Sequence, residues 1–382
     1  MIYFTVKATV LAAAEGHMGT SSSGERAALV RSLAIMSEYH WMFLRHLHAA
    51  VASRFGQPGL DVLARGLRRY GFYRGECIRD SPPVLAAGRD ALALVRHWDG
   101  GELALAAAHG GVEVSVADGK VSVRLPAAPG ADYFAGHGGT EALGLHWRQV
   151  LAGMAEGFDE QAGVTCDPAG ATPWRMTWTH PAQAAGGDAG LDDVFAAPAR
   201  YIEVSRRATG LIAALQMYPA MELADAFDAS AEEAVREAAY AFGAERGAAL
   251  RARHLAAGIP VDLQTMSQTL AERDPLGAIF SIRGPAYSSP GLSQFDCTYC
   301  PLADVWAQQG TEGLKLGYLF DMELHRGLVE TYHPGAVVRW DALKTRGDAM
   351  CRFRFSIPGL VTPAEAHLLA PSRDRPRRAG PA

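Results

Sequence analysis

The sequence has few cysteines, no excess of either charge and no long apolar run, and each shortage excludes a class of protein. Its 382 residues include five cysteines, an odd number that fits a reducing compartment better than a secreted disulfide scaffold. Lys and Arg total 36 against 41 Asp and Glu, a formal net charge of -5, so we expect no nucleic-acid partner. The opening stretch, MIYFTVKATVLAAAEGHMG, lacks the basic lead and sustained apolar segment of a signal peptide. We therefore expect a cytoplasmic protein that neither spans nor binds a membrane.

What the sequence does contain is an internal similarity, in a chain long enough for two domains. The segment RFGQPGLDVLARGLRRYG (54–71) aligns without a gap on AFGAERGAALRARHLAAG (241–258), which pairs Gly56 with Gly243 and places HLAAGIPVD opposite the arginine-rich end of the first segment. Ungapped alignments of this kind indicate a repeated unit.

A second block repeats later in the same order. GMAEGFDEQAGVTCDP (153–168) aligns on GLVETYHPGAVVRWDA (327–342), and WRMTWT from Trp174 then aligns on CRFRFS from Cys351. Two blocks in one order predict a tandem duplication, in which the first copy has lost cysteines that the second copy keeps.

Both copies follow one order of helices and strands. Apolar periodicity predicts helices first, at 25–55, 60–70, 83–96, 231–256 and 262–272. Alternating stretches follow in ELALAAAH, VEVSVAD and KVSVRLP, with Asp118 and Gly119 as a two-residue hairpin turn. Further helices are predicted at 140–157 and 301–331. The fold class is therefore α+β: two tandem copies of a unit whose N-terminal helices pack on a small antiparallel sheet.

The domain boundaries follow from composition. We predict a degenerate N-terminal copy at 1–181, a Pro/Gly/Ala linker at 182–198, a C-terminal copy with the candidate site at 199–358, and a disordered tail at 359–382.

Three segments of the second copy carry a family resemblance. They are CPLADVW from Cys300, YLFDMELHRGLVETYHP from Tyr318 and RWDALKTRGDAMCRFRF from Arg339. With them this copy resembles the L-2-amino-thiazoline-4-carboxylic acid hydrolases, or ATC hydrolases. The family's helical Cys-x-x-Asp falls on Met322 and His325, where this chain departs from the pattern. RRYGFYRGE, in the first copy, is similar to the family's Tyr-Gly-x-x-Arg-Gly.

The resemblance implies hydrolytic opening of a small cyclic amidine or thioimidate at a carbon bonded to nitrogen and sulfur. Such a reaction needs a nucleophile or activated water, a base and a proton donor, and a carboxylate-bearing substrate also needs a cation. The candidates for catalysis are Cys300, Cys351, His325, Asp321 and Asp348, and those for substrate binding are Arg339, Arg352, Arg74 and Glu330.

Two specific expectations follow from the positions of these residues. Pro301 suits the first position of a helix, which would leave Cys300 at the N-cap, where the helix dipole lowers a thiol pKa. Asp321 and His325 are i, i+4 neighbours on a helix, so we expect the carboxylate to raise the pKa of the imidazole and to orient its ring.

The same residues are compatible with other functions. A zinc-dependent hydrolase or lyase would use Cys297, Cys300, His325 and Cys351, although no cofactor is favoured. A non-catalytic small-molecule-binding module would keep the fold without the chemistry. The protein could also form a homodimer. The first copy is a structural half or, alternatively, contributes Arg74 and Glu76 to a shared site.

Two further sets of residues are assigned to packing or to the surface. His40, His46 and His48 are predicted to lie on a helix surface, because their spacing does not give a metal-binding face. The tryptophans are predicted to be core residues, namely Trp147, Trp174, Trp178, Trp306 and Trp340.

Overall fold

The computed structural model combines long helices with antiparallel sheets, which confirms the predicted α+β class. It describes residues 23–98, 100–182, 194–195, 198–271 and 279–369. Most of the predicted linker lies outside the described residues, and so do the first 22 residues, to which the signal-peptide prediction applies.

The chain divides into two compact units, each of which takes a segment from the other half of the sequence. Among the described residues, the first unit comprises those within 23–41 and 67–209, and the second comprises those within 42–66 and 210–369. Residues 42–66 were predicted to belong to the N-terminal copy, so the division differs there from two contiguous halves.

The helices are numbered in chain order. They are α1 (Ser23–Arg79), α2 (Pro82–Ala87), α3 (Ala91–Arg96), α4 (Glu102–Ala108), α5 (Ala131–His137), α6 (Thr140–Phe158), α7 (Pro198–Phe227), α8 (Ala229–Ala256), α9 (Leu263–Ala271), α10 (Pro301–Ala307) and α11 (Gly310–Tyr332).

Several helix boundaries differ from the predictions because of glycine. Gly56, at φ 58°, kinks α1, where two separate helices were predicted. Gly88, at φ 98°, ends α2 before Asp90 caps α3 by accepting a hydrogen bond from Ala93 N at 2.6 Å. Gly310, at φ 61°, separates α10 from α11, where one helix was predicted.

Some other segments were assigned wrongly or not predicted. ELALAAAH was predicted as a strand but forms α4, because its alanine content favours a helix more strongly than its short alternation favours a strand. The helix α7, which has 30 residues, was not predicted from the sequence.

The two sheets have the same topology. The strands are β1 (Glu113–Ala117), β2 (Lys120–Leu125), β3 (Gly163–Cys166), β4 (Trp174–Thr179), β5 (Ile282–Ser288), β6 (Leu292–Cys297), β7 (Val337–Ala342) and β8 (Cys351–Ser356). Their orders are β1-β2-β4-β3 and β5-β6-β8-β7, all antiparallel. Asp118 and Gly119 form the predicted hairpin turn with φ of 52° and 72°, as a two-residue turn requires.

In the first unit, α1 and α6 cross with their backbones in contact at glycines. A Cβ atom on Gly71 would lie 2.2 Å from Val150 O, and one on Gly153 would lie 2.0 Å from Arg68 O. Any side chain at either position would therefore force the two helices apart.

The second unit repeats this crossing between α8 and α11. A Cβ on Gly243 would lie 2.0 Å from Leu324 O, and one on Gly327 would lie 2.2 Å from Tyr240 O. Gly71 therefore takes the place in the first crossing that Gly243 takes in the second, which differs from the alignment by Phe-Gly. The tandem duplication itself stays a prediction.

The corrected alignment moves an arginine into register. Gly56 lies at a kink of α1 and has no counterpart in Gly243, whereas the motif Gly-x-x-Arg-Gly begins at both Gly71 and Gly243. Arg74 thus corresponds to Arg246, and the second copy does contain the arginine that the sequence alignment had placed opposite HLAAGIPVD.

The core is rich in tryptophan, as predicted. Trp147, Trp174, Trp178 and Trp306 are fully buried, whereas Trp340 is half-buried. His40 was predicted for the surface but is buried, because residues 39–44 of α1 are buried on every side of the helix.

Part of the predicted tail is folded. Within 359–369 the chain forms 3-10 turns at Pro358–Leu360 and Ala366–Leu369. Glu365 accepts hydrogen bonds from Tyr287 Oη at 2.5 Å and Thr362 N at 2.7 Å, so these residues pack on the second sheet. Residues 370–382 of the predicted tail lie outside the described part of the chain.

Candidate active site in the second unit

Cys300 lies at the predicted place, the N-cap of α10, with an extended backbone at φ -139° and Pro301 next to it. Its predicted low pKa is wrong. Its pKa is raised well above the usual thiol value, first by a hydrogen bond with Cys297, then by burial, and then by the charges of Cys297 and Asp321. A hydrogen bond from the backbone of Ala303 lowers the pKa but does not offset these effects. Cys300 is only 8% exposed, so desolvation outweighs the helix end.

Two more cysteines lie beside it on neighbouring strands. Cys297 at the end of β6 is directly opposite Cys351 at the start of β8. The Cys297 thiol lies within hydrogen-bond distance of Phe280 O at 3.1 Å and Tyr299 O at 2.9 Å. Burial first, and then the charge of Asp321, raise the pKa of Cys351 to about 12. All three thiols are free and buried.

Asp321, on α11, is an acidic group close to two of these thiols, Cys300 and Cys351. Desolvation raises the pKa of its carboxyl to about 8, and the side chain is 7% exposed. Burial is the cause of this shift, with no charged neighbour or hydrogen bond given a part in it. Its charge raises the pKa of both Cys300 and Cys351, so it lies near both thiols. At neutral pH the carboxyl is therefore mostly protonated and the cluster carries little charge.

His325 lies one turn further along α11, among aromatic rings. Its ring centroid is 4.8 Å from that of Trp340 and 5.1 Å from that of Phe353. Its Nδ1 donates to the backbone oxygen of Asp321 at 2.8 Å, which leaves the lone pair of the neutral ring on Nε2. The predicted contact with the Asp321 carboxylate is therefore replaced by one with its backbone.

The predicted rise in the pKa of His325 is also wrong. Burial, together with the charge of Arg246, lowers the pKa of the imidazole to about 4, and the hydrogen bond to Asp321 only partly opposes this effect. The imidazole is neutral at pH 7.

Arg246 is the residue of this site that the sequence analysis missed. Its guanidinium lies 5.1 Å from the centroid of the Phe242 ring, and its charge acts on His325. The signal was present as Gly-x-x-Arg-Gly, but the alignment by Phe-Gly put Arg246 out of register with Arg74.

The two arginines predicted to anchor a substrate instead pair with aspartates of the second sheet. Arg352 donates two hydrogen bonds to Asp296, at 2.8 and 2.7 Å. Arg339 pairs with Asp341 at 3.1 Å and donates to the backbone oxygen of Leu369.

Three other predicted site residues make structural contacts. Asp348 accepts from Leu343 N at 2.7 Å and so fixes the loop before β8. Glu330 accepts from Tyr240 Oη at 3.0 Å. Arg74 is in the first unit, where it pairs with Glu102 at 3.3 Å.

The zinc alternative requires a cluster of metal ligands. The described residues contain no group of three or more His, Cys, Asp or Glu side chains placed to hold a metal ion. Cys297 also directs its thiol at backbone oxygens, and His325 uses Nδ1 in the same way.

Residues 208–355 match the family model of L-2-amino-thiazoline-4-carboxylic acid hydrolase. The match confirms the resemblance of the second copy, and it includes every group described around Asp321. We call residues 208–355 the ATC hydrolase segment. No curated protein and no solved structure matches the chain. Among the described helices, none is long and apolar enough to cross a membrane.

Proposed function

We propose that this protein is a hydrolase that opens a small thiazoline-type ring, with its active site around Asp321. The observation that carries the proposal is the position of Asp321 within the ATC hydrolase segment, as a buried carboxyl beside two thiols. A buried acid of raised pKa in such a place is typical of a catalytic proton donor.

In the proposed reaction, water adds across the C=N bond of the ring at the carbon that also bears sulfur. The tetrahedral carbon then loses either its sulfur or its ring nitrogen, while its new hydroxyl becomes a carbonyl. One proton of water goes to the ring nitrogen and the other to the leaving atom. His325 Nε2 accepts a proton from water and passes it to the ring nitrogen. Asp321 delivers its proton to the leaving atom and takes up the hydroxyl proton as the carbonyl forms.

Water is proposed as the nucleophile because the thiols are protonated at neutral pH. A hydrogen bond with Cys297, followed by burial, raises the pKa of Cys300, and burial followed by the charge of Asp321 raises the pKa of Cys351. A neutral thiol is a poor nucleophile, so Cys300 is proposed to shape the site.

Arg246 is proposed to bind the carboxylate of the substrate. The charge of Arg246 acts on the ring of His325, which is the proposed base. A guanidinium in that position can hold a carboxylate through two hydrogen bonds.

The test is turnover of L-2-amino-thiazoline-4-carboxylate and of related cyclic amidines. Release of a thiol indicates C–S cleavage, and release of a primary amine indicates C–N cleavage. Asp321→Asn is expected to lower kcat about 100- to 10,000-fold. The matched control is Asp304→Asn, which removes an exposed carboxyl from α10 and is expected to keep full activity.

Two outcomes would contradict the proposal. Absence of turnover across the panel, with binding retained, would favour the non-catalytic binding module. Equal activity of the Asp321→Asn and Asp304→Asn variants would remove Asp321 from the mechanism.

A further inference from the structure

The first unit contains a buried polar cluster that the proposed hydrolase does not use. We call it the His146 cluster, and define it by His146, Tyr70, Arg74, Trp98, Glu102 and Trp178. All six residues belong to the first unit, and all six are buried.

His146, on α6, is fully buried, and neither of its ring nitrogens has a hydrogen-bond partner within the described chain. Aromatic side chains surround the imidazole instead. Its ring centroid is 5.2 Å from that of His40, 5.3 Å from that of Trp41 and 5.1 Å from that of Trp147. The imidazole thus has hydrogen-bonding capacity that the protein does not satisfy.

Trp178, on β4, is the second side chain with an unsatisfied hydrogen-bonding group. Its indole is 1% exposed, and its Nε1–H has no hydrogen-bond partner in the described residues. Leaving such a donor or acceptor unsatisfied in a core destabilises the folded protein. Three unmet atoms on two side chains therefore call for a partner that is not part of the protein.

Contacts connect the two side chains. The ring centroid of Tyr70 is 6.2 Å from that of His146, and the guanidinium of Arg74 lies 5.8 Å from the Tyr70 ring and 5.4 Å from the Trp98 ring. The Trp98 centroid is in turn 6.3 Å from that of Trp178.

The repeated fold shows that packing alone does not require these polar groups. Gly153 corresponds to Gly327, which places Phe320 at the position of His146. In the sheets, Trp178 pairs with Val164, and Phe355 pairs with Val338 at the same point of the topology. The second unit thus fills both positions with phenylalanine.

The charges of the His146 cluster indicate the charge of a ligand that it could bind. Arg74 and Glu102 pair at 3.3 Å, and Trp98 Nε1 donates to Glu102 at 2.9 Å, so these groups cancel in charge. Burial, with the charges of His40 and Arg74, holds the pKa of His146 well below its usual value, so the imidazole is neutral. A charged ligand would therefore be buried without compensation.

We propose that the His146 cluster binds a small, uncharged, planar nitrogen heterocycle that carries both an N–H donor and a carbonyl acceptor. Neutral His146 offers one donor and one acceptor, and Trp178 offers one donor, so an N–H and a carbonyl complement them. The flat aromatic walls favour a planar ring. The carboxylate-bearing substrate proposed for the second unit does not meet this description.

The test uses the full-length chain labelled with 15N at tryptophan and 2-imidazolidinone as the probe, a planar, uncharged cyclic urea. Trp178→Phe identifies the indole resonance of Trp178 among the seven tryptophans. A saturable shift of that resonance is expected with the probe and not with cyclopentanone, a ring of the same size that lacks the N–H donors.

Two variants separate this site from the proposed active site. His146→Phe introduces the residue of the second unit and is expected to weaken probe binding at least tenfold. Asp321→Asn is expected to leave binding unchanged, even if it abolishes turnover. If His146→Phe does not fold, Trp178→Phe is compared with the wild type by calorimetry, where the Kd for the probe is expected to rise at least tenfold.

Any of three results would overturn the proposal. The first is no saturable shift at millimolar probe, with the Trp178 resonance already that of a water-bonded indole. The second is binding that survives both phenylalanine substitutions, and the third is equal binding of cyclopentanone.

Discussion

At the residue scale, the pH dependence of the rate tests the protonation states of Asp321 and His325. Burial raises the pKa of Asp321 to about 8 and lowers that of His325 to about 4, so the acid is protonated and the base neutral between these limits. We expect kcat/KM to be flat in this window, to fall above about pH 8 as Asp321 ionises, and to fall below about pH 4 as His325 takes up a proton.

The variant for this profile is Asp321→Asn, which cannot ionise. It should lose the alkaline limb as well as most of the rate. A wild-type acid limb near pH 6.5 would instead show that His325 titrates as an unperturbed histidine, and would contradict its buried setting.

The thiols give a second prediction at this scale. Because Cys300 is buried and its pKa is raised, alkylation of the native protein near neutral pH should label half-buried Cys77 well before Cys300. Peptide mapping after a time course measures the order, and labelling in denaturant is the control for intrinsic reactivity. Preferential labelling of Cys300 in the native state would restore the thiolate mechanism.

At the scale of elements, glycines set the distance between paired helices. A Cβ on Gly153 would lie 2.0 Å from the backbone oxygen of Arg68, whereas the nearest atom to one on Gly144, in the same helix, is 3.6 Å away on the flexible side chain of Arg148. Gly153→Ala is therefore expected to lower the free energy of unfolding by about 2–4 kcal/mol.

Gly144→Ala is the matched control. It should raise the free energy of unfolding by up to about 1 kcal/mol, because alanine favours a helix over glycine. Denaturant titration of both variants measures the difference. Equal stability of the two would show that α1 and α6 can separate without loss.

At the scale of the whole molecule, the second unit depends on residues 42–66. Phe43 packs its ring 5.3 Å from Phe320, Phe55 stacks on Phe227 at 4.1 Å, and Arg45 pairs with Glu245. A fragment of residues 199–382 lacks these partners and leaves apolar rings exposed.

We expect that fragment to aggregate or to melt well below the full chain, because it loses several buried aromatic contacts. Circular dichroism melts and light scattering measure this. Adding a peptide of residues 42–66 should raise the melting temperature, and a peptide with Phe43→Ala and Phe55→Ala is the control. A fragment that melts with the full chain would show that the second unit needs only its own half of the sequence.

Local pattern was sufficient for part of this protein. Alternation and an Asp-Gly turn predicted β1 and β2, Cys-Pro predicted the start of α10, and three short segments predicted the family of residues 208–355. These features depend on neighbours in the chain, so the sequence by itself determined them.

Tertiary structure decided the rest. The repeat register depends on glycines that meet across helices, and the states of Cys300 and Asp321 depend on burial by elements distant in sequence. A helix N-terminus predicted a reactive thiol, but desolvation is the larger effect and is set only by the packed site. Likewise, the partner of Arg352 is Asp296 because strand pairing places them side by side.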